Sequence, residues 1–357
     1  MTIVIRFFVF LLPWVTYAQL PGEKVYEEVG DGSSIVLYLV GPSNGFPEYY
    51  RGDVFTSVCK NEECPPVRII FFWDLLGNFD HFELPPNEFL TKINQQPFDE
   101  EDYKKLDRIL GDRNSWLGDL DINQLSLSLN GPIEAIDGIS GATAKEMKSS
   151  MIEGAFFTCH TLWTIVNGKL VRAIEENTES IETEEFIKHM LSHDKYSYQR
   201  FAINRIVFLK EIVAWAPVLF EKLGDGSVFL DNHLLNSLPD EFLRESDAQL
   251  NLWTKFSELD YRNQLLLTRR FINISVEQRV SGIVADLING DGSRLDNNLS
   301  RIYLNSEELT DRKIAFAKQY LRNDEIYPDP GTLELIGPLS KENRKLLKLY
   351  NRKTAPK

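Results

Sequence analysis

The stretch Val67–Leu84 reads "VRIIFFWDLLGNFDHFEL". Two apolar runs, rich in β-branched and aromatic residues, stand on either side of Gly77-Asn78. That dipeptide tolerates the positive φ of a tight turn, so the pattern predicts two strands paired as a hairpin. Upstream, "SIVLYLV" (Ser34–Val40) is a further strand by its β-branched content. Downstream, "FDEEDYKKLDRIL" (Phe98–Leu110) carries acids first and bases later, which suits a helix and its dipole. "QLSLSLN" (Gln124–Asn130) alternates apolar and polar residues and predicts another strand. "TAKEMKSSMIEGAFFTCHTLWTIV" (Thr143–Val166) then reads as one long or two short helices, closed at Asn167-Gly168.

From about Ile181 strand signals nearly vanish. Apolar residues recur at three- and four-residue spacing, as in "FLKEIVAWAPVLFEKL" and "VEQRVSGIVADLI". The fold class expected is an α+β domain over residues 19–180 followed by an all-α domain over 181–357. Within the second, "GDGSVFLDNHL" (Gly224–Leu234) resembles "GDGSRLDNNL" (Gly290–Leu299). In each copy the glycine would end one helix and the serine would cap the next. Such duplication suggests a helical-repeat array similar to HEAT or armadillo folds; an ordinary bundle is the alternative. A calcium loop does not fit, because placing Gly292 at the sixth position puts Leu287, which cannot ligate, at the first. His189 and His193 stand four apart, with no third residue spaced to complete a zinc site.

Composition sets the outer bounds. With 357 residues and 43% hydrophobic content the chain can bury one large or two ordinary cores. A formal net charge of −14 makes it a poor binder of nucleic acid, since phosphates would be repelled. The C-terminus runs the other way: Lys341, Arg344, Lys345, Lys348, Arg352, Lys353 and Lys357 face the single acid Glu342. This is either a solvated last helix or a contact for a membrane surface or an acidic partner.

The first residues, "MTIVIRFFVFLLPWVTYAQLPG", place Arg6 before the apolar run Phe7–Val15 and then Thr16-Tyr17-Ala18. The run is too short to span a bilayer and has the layout of a secretory signal peptide over residues 1–18, cleaved after Ala18. An uncleaved anchor is the alternative. A periplasmic or otherwise extracytoplasmic location follows. In that setting Cys59 and Cys64, which bracket "KNEE", can form a small surface disulfide. Cys159, in "GAFFTCHTLW", reads as a buried thiol.

The chemistry concentrates in "AIDGISGATAKEM" (Ala135–Met147). Thr143-Ala-Lys-Glu146 fits a capping box, in which the threonine hydroxyl accepts from the N–H of Glu146. Gly138 and Gly141 would relieve a tight turn. That account leaves Asp137, Ser140 and Ala142 unexplained. A strand, a glycine-rich turn and a helix start also make a phosphate site, because free N–H groups and the helix dipole favour an anion. Gly141 and Ala142 keep the approach open, and Thr143 sets a hydroxyl where a phosphate could be bonded to it.

"DGISGAT" (Asp137–Thr143) resembles the flavinylation motif Asp-x-x-Ser/Thr-Gly-Ala-Thr of the FMN-binding domain family. That family includes the C subunit of the sodium-pumping quinone reductase and the G subunit of the Rnf complex. The resemblance implies an α+β FMN-binding domain over residues 19–180, with FMN attached to Thr143 through a phosphoester. Attachment would be the work of a flavin transferase that uses FAD, reading Asp137, Ser140, Gly141 and Ala142. Two further contacts come with it: Trp73 could stack on the ring system or be a core residue, and Lys92 could favour a reduced, anionic flavin or be a solvated lysine. The resemblance is specific over seven residues and loose around them. Those subunits are held by an N-terminal membrane helix; here the leader reads as cleavable and a helical domain is appended. The expected function is therefore an exported flavoprotein passing electrons to or from a membrane or periplasmic redox partner. The alternatives are a flavin-dependent reductase of a small substrate, with Asp74 and His81 as candidate acids, and a non-redox helical interaction protein.

Overall fold

The computed structural model describes residues 22–30, 32–42, 45–58, 65–92, 95–119, 151–225, 227–322 and 329–354. The predicted leader (residues 1–18), Cys59, Cys64, the predicted strand 124–130 and the motif residues Asp137, Gly138, Ser140, Gly141, Ala142 and Thr143 lie outside the described residues. The chain divides into two compact units, residues 1–186 and 187–357.

In the first unit β1 (Gly22–Gly30), β2 (Ser33–Val40), β3 (Tyr49–Thr56), β4 (Val67–Trp73) and β5 (Phe79–Glu83) form one antiparallel sheet in chain order. The two-residue period of a strand sorts the side chains. Leu37, Tyr50, Val54, Ile69, Phe71 and Trp73 turn to one face and are almost wholly buried. Both edge strands carry charge, Glu23, Lys24, Glu27 and Glu28 on β1 and Asp80, His81 and Glu83 on β5. Charged edges resist pairing with another sheet.

The β4–β5 hairpin exists, with a five-residue connection in place of a bare Gly-Asn turn. Its organiser is Asp74, whose Oδ1 accepts from the N–H groups of Leu76 (2.9 Å) and Asn78 (3.0 Å). Gly77 supplies the positive φ of 73° and donates to the Asp74 carbonyl at 3.0 Å.

Helices cover the buried face. α1 (Glu100–Gly111) starts at a capping box between Asp99 and Asp102 and buries Leu106, Ile109 and Leu110. α2 (Phe156–Asn167) is the described end of the predicted helical run Thr143–Val166 and stops at Gly168 as expected, and α3 (Lys169–Ser180) follows directly. A Cβ on Gly168 would lie 2.3 Å from the Thr164 carbonyl oxygen, so the break requires glycine. Polar anchors fix α2 and α3 to the sheet. Trp73 Nε1 donates to the Val166 carbonyl at 3.0 Å, and Tyr50 Oη lies 2.9 Å from both Asn177 Oδ1 and Thr178 Oγ1. Burial pushes the Tyr50 phenol up to about 12, so it stays protonated as a donor.

Among the described residues from 184 onward every regular element is a helix. α4 (Glu184–Ser192), α5 (Tyr196–Phe208), α6 (Ile212–Lys222), α7 (Val228–Ser237), α8 (Asp240–Leu243), α9 (Ser246–Thr254), α10 (Tyr261–Phe271), α11 (Gln278–Leu287), α12 (Arg294–Asn305), α13 (Thr310–Arg322), α14 (Pro330–Leu339) and α15 (Lys341–Thr354) follow one another. Two stacks emerge from the packing. α5, α7, α10, α12 and α14 adjoin in that order, and α9 packs on α11. The N-caps of α7, α10 and α12 are Ser227, Asp260 and Ser293, one every 33 residues. Buried Leu238, Phe271 and Leu304 recur at the same interval.

Both glycine–serine stretches act as the sequence implies. Gly224 (φ 82°) follows α6 and Ser227 caps α7; Gly290 (φ 72°) follows α11 and Ser293 caps α12. Each capped helix carries a buried aspartate that reaches back over the turn. Asp231 Oδ1 accepts from Gly224 N at 3.0 Å, and Asp296 Oδ1 from Asn289 N (2.8 Å) and Gly290 N (2.9 Å).

Burial, with Asp225 and Asp260 nearby, pushes the Asp231 carboxyl above the usual range against the pull of the Gly224 N–H. A raised folded-state pKa means that the folded chain holds a proton the unfolded chain has released. This group's contribution to stability therefore falls as pH rises from the ordinary carboxylate range through the folded pKa. Asp231→Asn keeps an acceptor for Gly224 and removes the charge. Its thermal midpoint should equal or exceed that of the wild type at neutral pH and decline less between acid and neutral. A marked loss at neutral pH would contradict this.

Arg270 ties α10 to the end of α7. Its guanidinium donates to the Leu235 and Leu238 carbonyls at 2.7 Å and pairs with Asp240 at 2.6 Å. Asp240 is well exposed, so its share is small; the carbonyl bonds carry the weight. Arg270→Ala should cost about 2–3 kcal/mol, read by urea unfolding of the whole chain, and Arg270→Lys should recover only part of it.

Candidate functional site

The candidate site is built from the described residues on either side of 120–150. The chain runs down α1, passes Asp112 and Ser115 and enters a short 3-10 helix, Trp116–Asp119. It resumes at Met151, ahead of α2. Three contacts hold these ends together. Lys105 Nζ donates to the Met151 carbonyl at 2.5 Å, Trp163 Nε1 donates to the Asp112 carbonyl at 2.8 Å, and the rings of Trp116 and Phe156 stand 6.2 Å apart. Gly118 permits this approach, since a Cβ on it would meet the Trp163 ring at 2.8 Å.

A cleft of about 490 Å³ opens between the two ends, lined by Lys105, Arg108, Ile109, Asp112, Ser115, Trp116 and Met151. Lys105 and Arg108 are three residues apart on α1 and so share a helix face. The cleft joins two cations, one carboxylate (Asp112), a hydroxyl and an indole, so its side-chain charge is net positive. A phosphate-bearing aromatic ligand asks for that set: charge-assisted bonds for the phosphate and a flat apolar surface for the rings.

Lys92 lies close to this region. Its ammonium pairs with Asp102 at 2.6 Å, and both side chains are largely enclosed. The hydrogen bond to Asp102 raises the Lys92 pKa, with added support from the charges of Asp99 and Glu153. Burial alone would raise the Asp102 carboxyl, but Lys92 and the Asp99 N–H outweigh it and hold the carboxyl low. Glu153 stands two residues past Met151, so Lys92 feels a charge from the described residues just after 120–150. Asp102 also completes the cap of α1, so the pair locks the loop before α1 to the helix start.

Trp73 takes the core position. It is 0% exposed, its ring lies against Gly52, and its N–H is bonded to Val166. Of the two candidate acids, Asp74 is spent on the β4–β5 turn, accepting also from Asn78 Nδ2 at 3.0 Å. His81 stacks flat on Phe72 (4.3 Å between centroids, 7° between planes) and pairs with Asp80 at 2.8 Å. Cys159 is a buried free thiol, pushed by burial up to about 11. It is therefore protonated and a poor nucleophile. His160 is buried beside Phe156.

Sequence reasoning missed Lys105, Arg108, Ser115 and Trp116. The lysine and arginine look like ordinary bases late in a helix, and a lone tryptophan after a helix stop announces nothing. Among the described residues no group of three or more His, Cys, Asp or Glu side chains could hold a metal ion, and no helix is long and apolar enough to cross a membrane. Compared with known proteins, the chain matches no family model, no curated protein and no solved structure.

Proposed function

We propose that this is an exported flavoprotein that carries FMN covalently on Thr143 and works in extracytoplasmic electron transfer. The observation that carries this reading is the seven-residue stretch "DGISGAT" (Asp137–Thr143), in which every position that a flavin transferase would read is filled. In the attachment, the Thr143 oxygen bonds to the phosphorus on the FMN side of FAD. The phosphoanhydride breaks, AMP leaves, and the hydroxyl proton is released. Asp137, Ser140, Gly141 and Ala142 are the positions the transferase would read, and the small residues at 141 and 142 suit close approach to the hydroxyl.

The cleft lined by described residues on both sides of 120–150 supports the reading. It has room for a ring system, Trp116 offers a stacking surface, and Lys105 and Arg108 offer positive charge to a phosphate. The attached FMN supplies the redox chemistry; the chain supplies position, electrostatics and shielding from water. A tether matters outside the cell membrane, where a dissociated cofactor is lost by dilution. Lys92, already paired with Asp102, tunes local charge and makes no direct bond in this account.

The helical unit serves as the docking module. Its stacked helices at 33-residue intervals support a HEAT- or armadillo-like array, whose repeated faces suit a redox partner in the membrane or periplasm. With Asp74 and His81 both engaged in the fold, a stand-alone reductase is the weaker reading. The chain should be co-produced with a flavin transferase, denatured and run on a gel. A band fluorescent under ultraviolet light is expected, and a dark band contradicts the assignment.

A further inference from the structure

We propose that the outward face of α15 is a docking surface for an anionic lipid membrane. α15 packs inward through Leu346, Leu347 and Tyr350 against a cluster of Leu304, Ala317, Tyr320, Leu321 and Ile336. Asn343 on the same face is fully buried. At 100° per residue, Lys341, Arg344, Lys345 and Lys348 fall within an arc of about 100° on the opposite side. All four are exposed.

The single acid of this helix offsets them only in part: Glu342 feels the charge of Lys345, but its closest partners lie elsewhere. Glu342 is drawn to α13, where Lys318 lies 2.7 Å and Arg322 4.0 Å away. The hydrogen bond and charge of Lys318 hold its carboxyl below the usual range. Glu342 is thus held mainly by Lys318 and Arg322, and the outward face keeps an excess of positive charge. Leu349, at 56% exposure, borders them. With its apolar face held by the protein core, α15 presents a basic face with one exposed apolar side chain at its margin, which suits electrostatic contact with the surface of an anionic membrane. There the lysine stems lie along the surface and their heads reach the phosphates.

Charge complementarity selects the partner. The chain as a whole carries −14, so a long polyanion that wraps a protein, such as nucleic acid, meets repulsion everywhere except here. A flat anionic surface can engage the α15 face without having to wrap the acidic remainder of the chain, and the attraction acts over a screening length of about 8 Å at physiological salt. The inference does not depend on the flavin reading: Thr143→Ala should bind vesicles as the wild type does.

The test is flotation of the full chain with vesicles of phosphatidylcholine alone and of phosphatidylcholine mixed with phosphatidylglycerol. Binding to the mixed vesicles only is expected, lost as NaCl rises from about 0.1 M to about 1 M and the screening length shrinks to about 3 Å. Each cation neutralised should lower the partition coefficient about fivefold. The variant K341Q/R344Q/K345Q/K348Q should fall to the phosphatidylcholine baseline, with an unchanged circular dichroism spectrum because all four side chains are exposed. The salt series on the wild type needs no variant and tests the same claim. No flotation with mixed vesicles, equal flotation with both kinds, or full binding by the quadruple variant overturns the proposal. So does salt-sensitive self-association that the variant loses while vesicles are ignored, which would assign the face to a second copy.

Discussion

Trp73→Ala should unfold the first unit well below the wild-type midpoint. The side chain is completely buried, its rings pack 5.9 Å from Phe71, and its N–H satisfies the Val166 carbonyl of α2. Truncation removes apolar contact, leaves a cavity between sheet and helix, and strands that carbonyl. Large aromatic-to-alanine changes in cores cost about 3–5 kcal/mol. In a unit of this size that is a fall of roughly 10 °C, followed by near-ultraviolet circular dichroism. A companion experiment isolates the geometry. A Cβ on Gly52 would sit 2.8 Å from Cζ3 of Trp73, so Gly52→Ala alone should be destabilising by overpacking. Trp73→Phe withdraws that edge of the indole, and the double variant should therefore lose less than the sum of the two singles. Trp73→Phe should also leave the flavin absorption spectrum unchanged, because the ring belongs to the core.

Thr143→Ala should abolish covalent flavin completely while costing little stability. If the hydroxyl served only as a helix cap, its loss would cost about 1 kcal/mol and change nothing else. If it is the anchor, the same substitution removes the only oxygen to which the phosphate is bonded, and the effect is all or none. Fluorescence of the denatured band separates the two without any assumption about partners. Lys105→Gln with Arg108→Gln provides the graded counterpart: flavin should remain attached but be held less firmly, with higher steady-state anisotropy lost from the flavin signal of the native protein. Unchanged anisotropy would remove the cleft from the account.

The layout of the fold was legible wherever periodicity was strong. Val67–Leu84 announced its hairpin, although not that Asp74 would hold the turn. β3 went unread because Arg51, Gly52 and Asp53 interrupt its apolar pattern, and Gly52 is small only because the Trp73 ring covers it. β1 went unread because an edge strand can be mostly charged. The two glycine–serine stretches stood out as a pair about 65 residues apart, which is two periods. The copy between them starts at Asp260, whose carboxylate caps α10 by accepting from Asn263 N at 3.0 Å. A cap needs an acceptor and a stack needs apolar residues at intervals; neither needs the same letters, so the middle repeat was invisible. For the site, the motif was legible because its chemistry is packed into consecutive residues. Lys105, Arg108 and Trp116 were not, because only the fold brings them to the two ends of the segment that carries Thr143.

The most direct measurement is the intact mass, under denaturing conditions, of the secreted chain produced with a flavin transferase. The expected species is a chain beginning after Ala18 that carries one phosphoester-linked FMN, with an otherwise identical Thr143→Ala chain lacking it. A wild-type mass with no flavin, or a flavin adduct that persists in Thr143→Ala, would contradict the central claim.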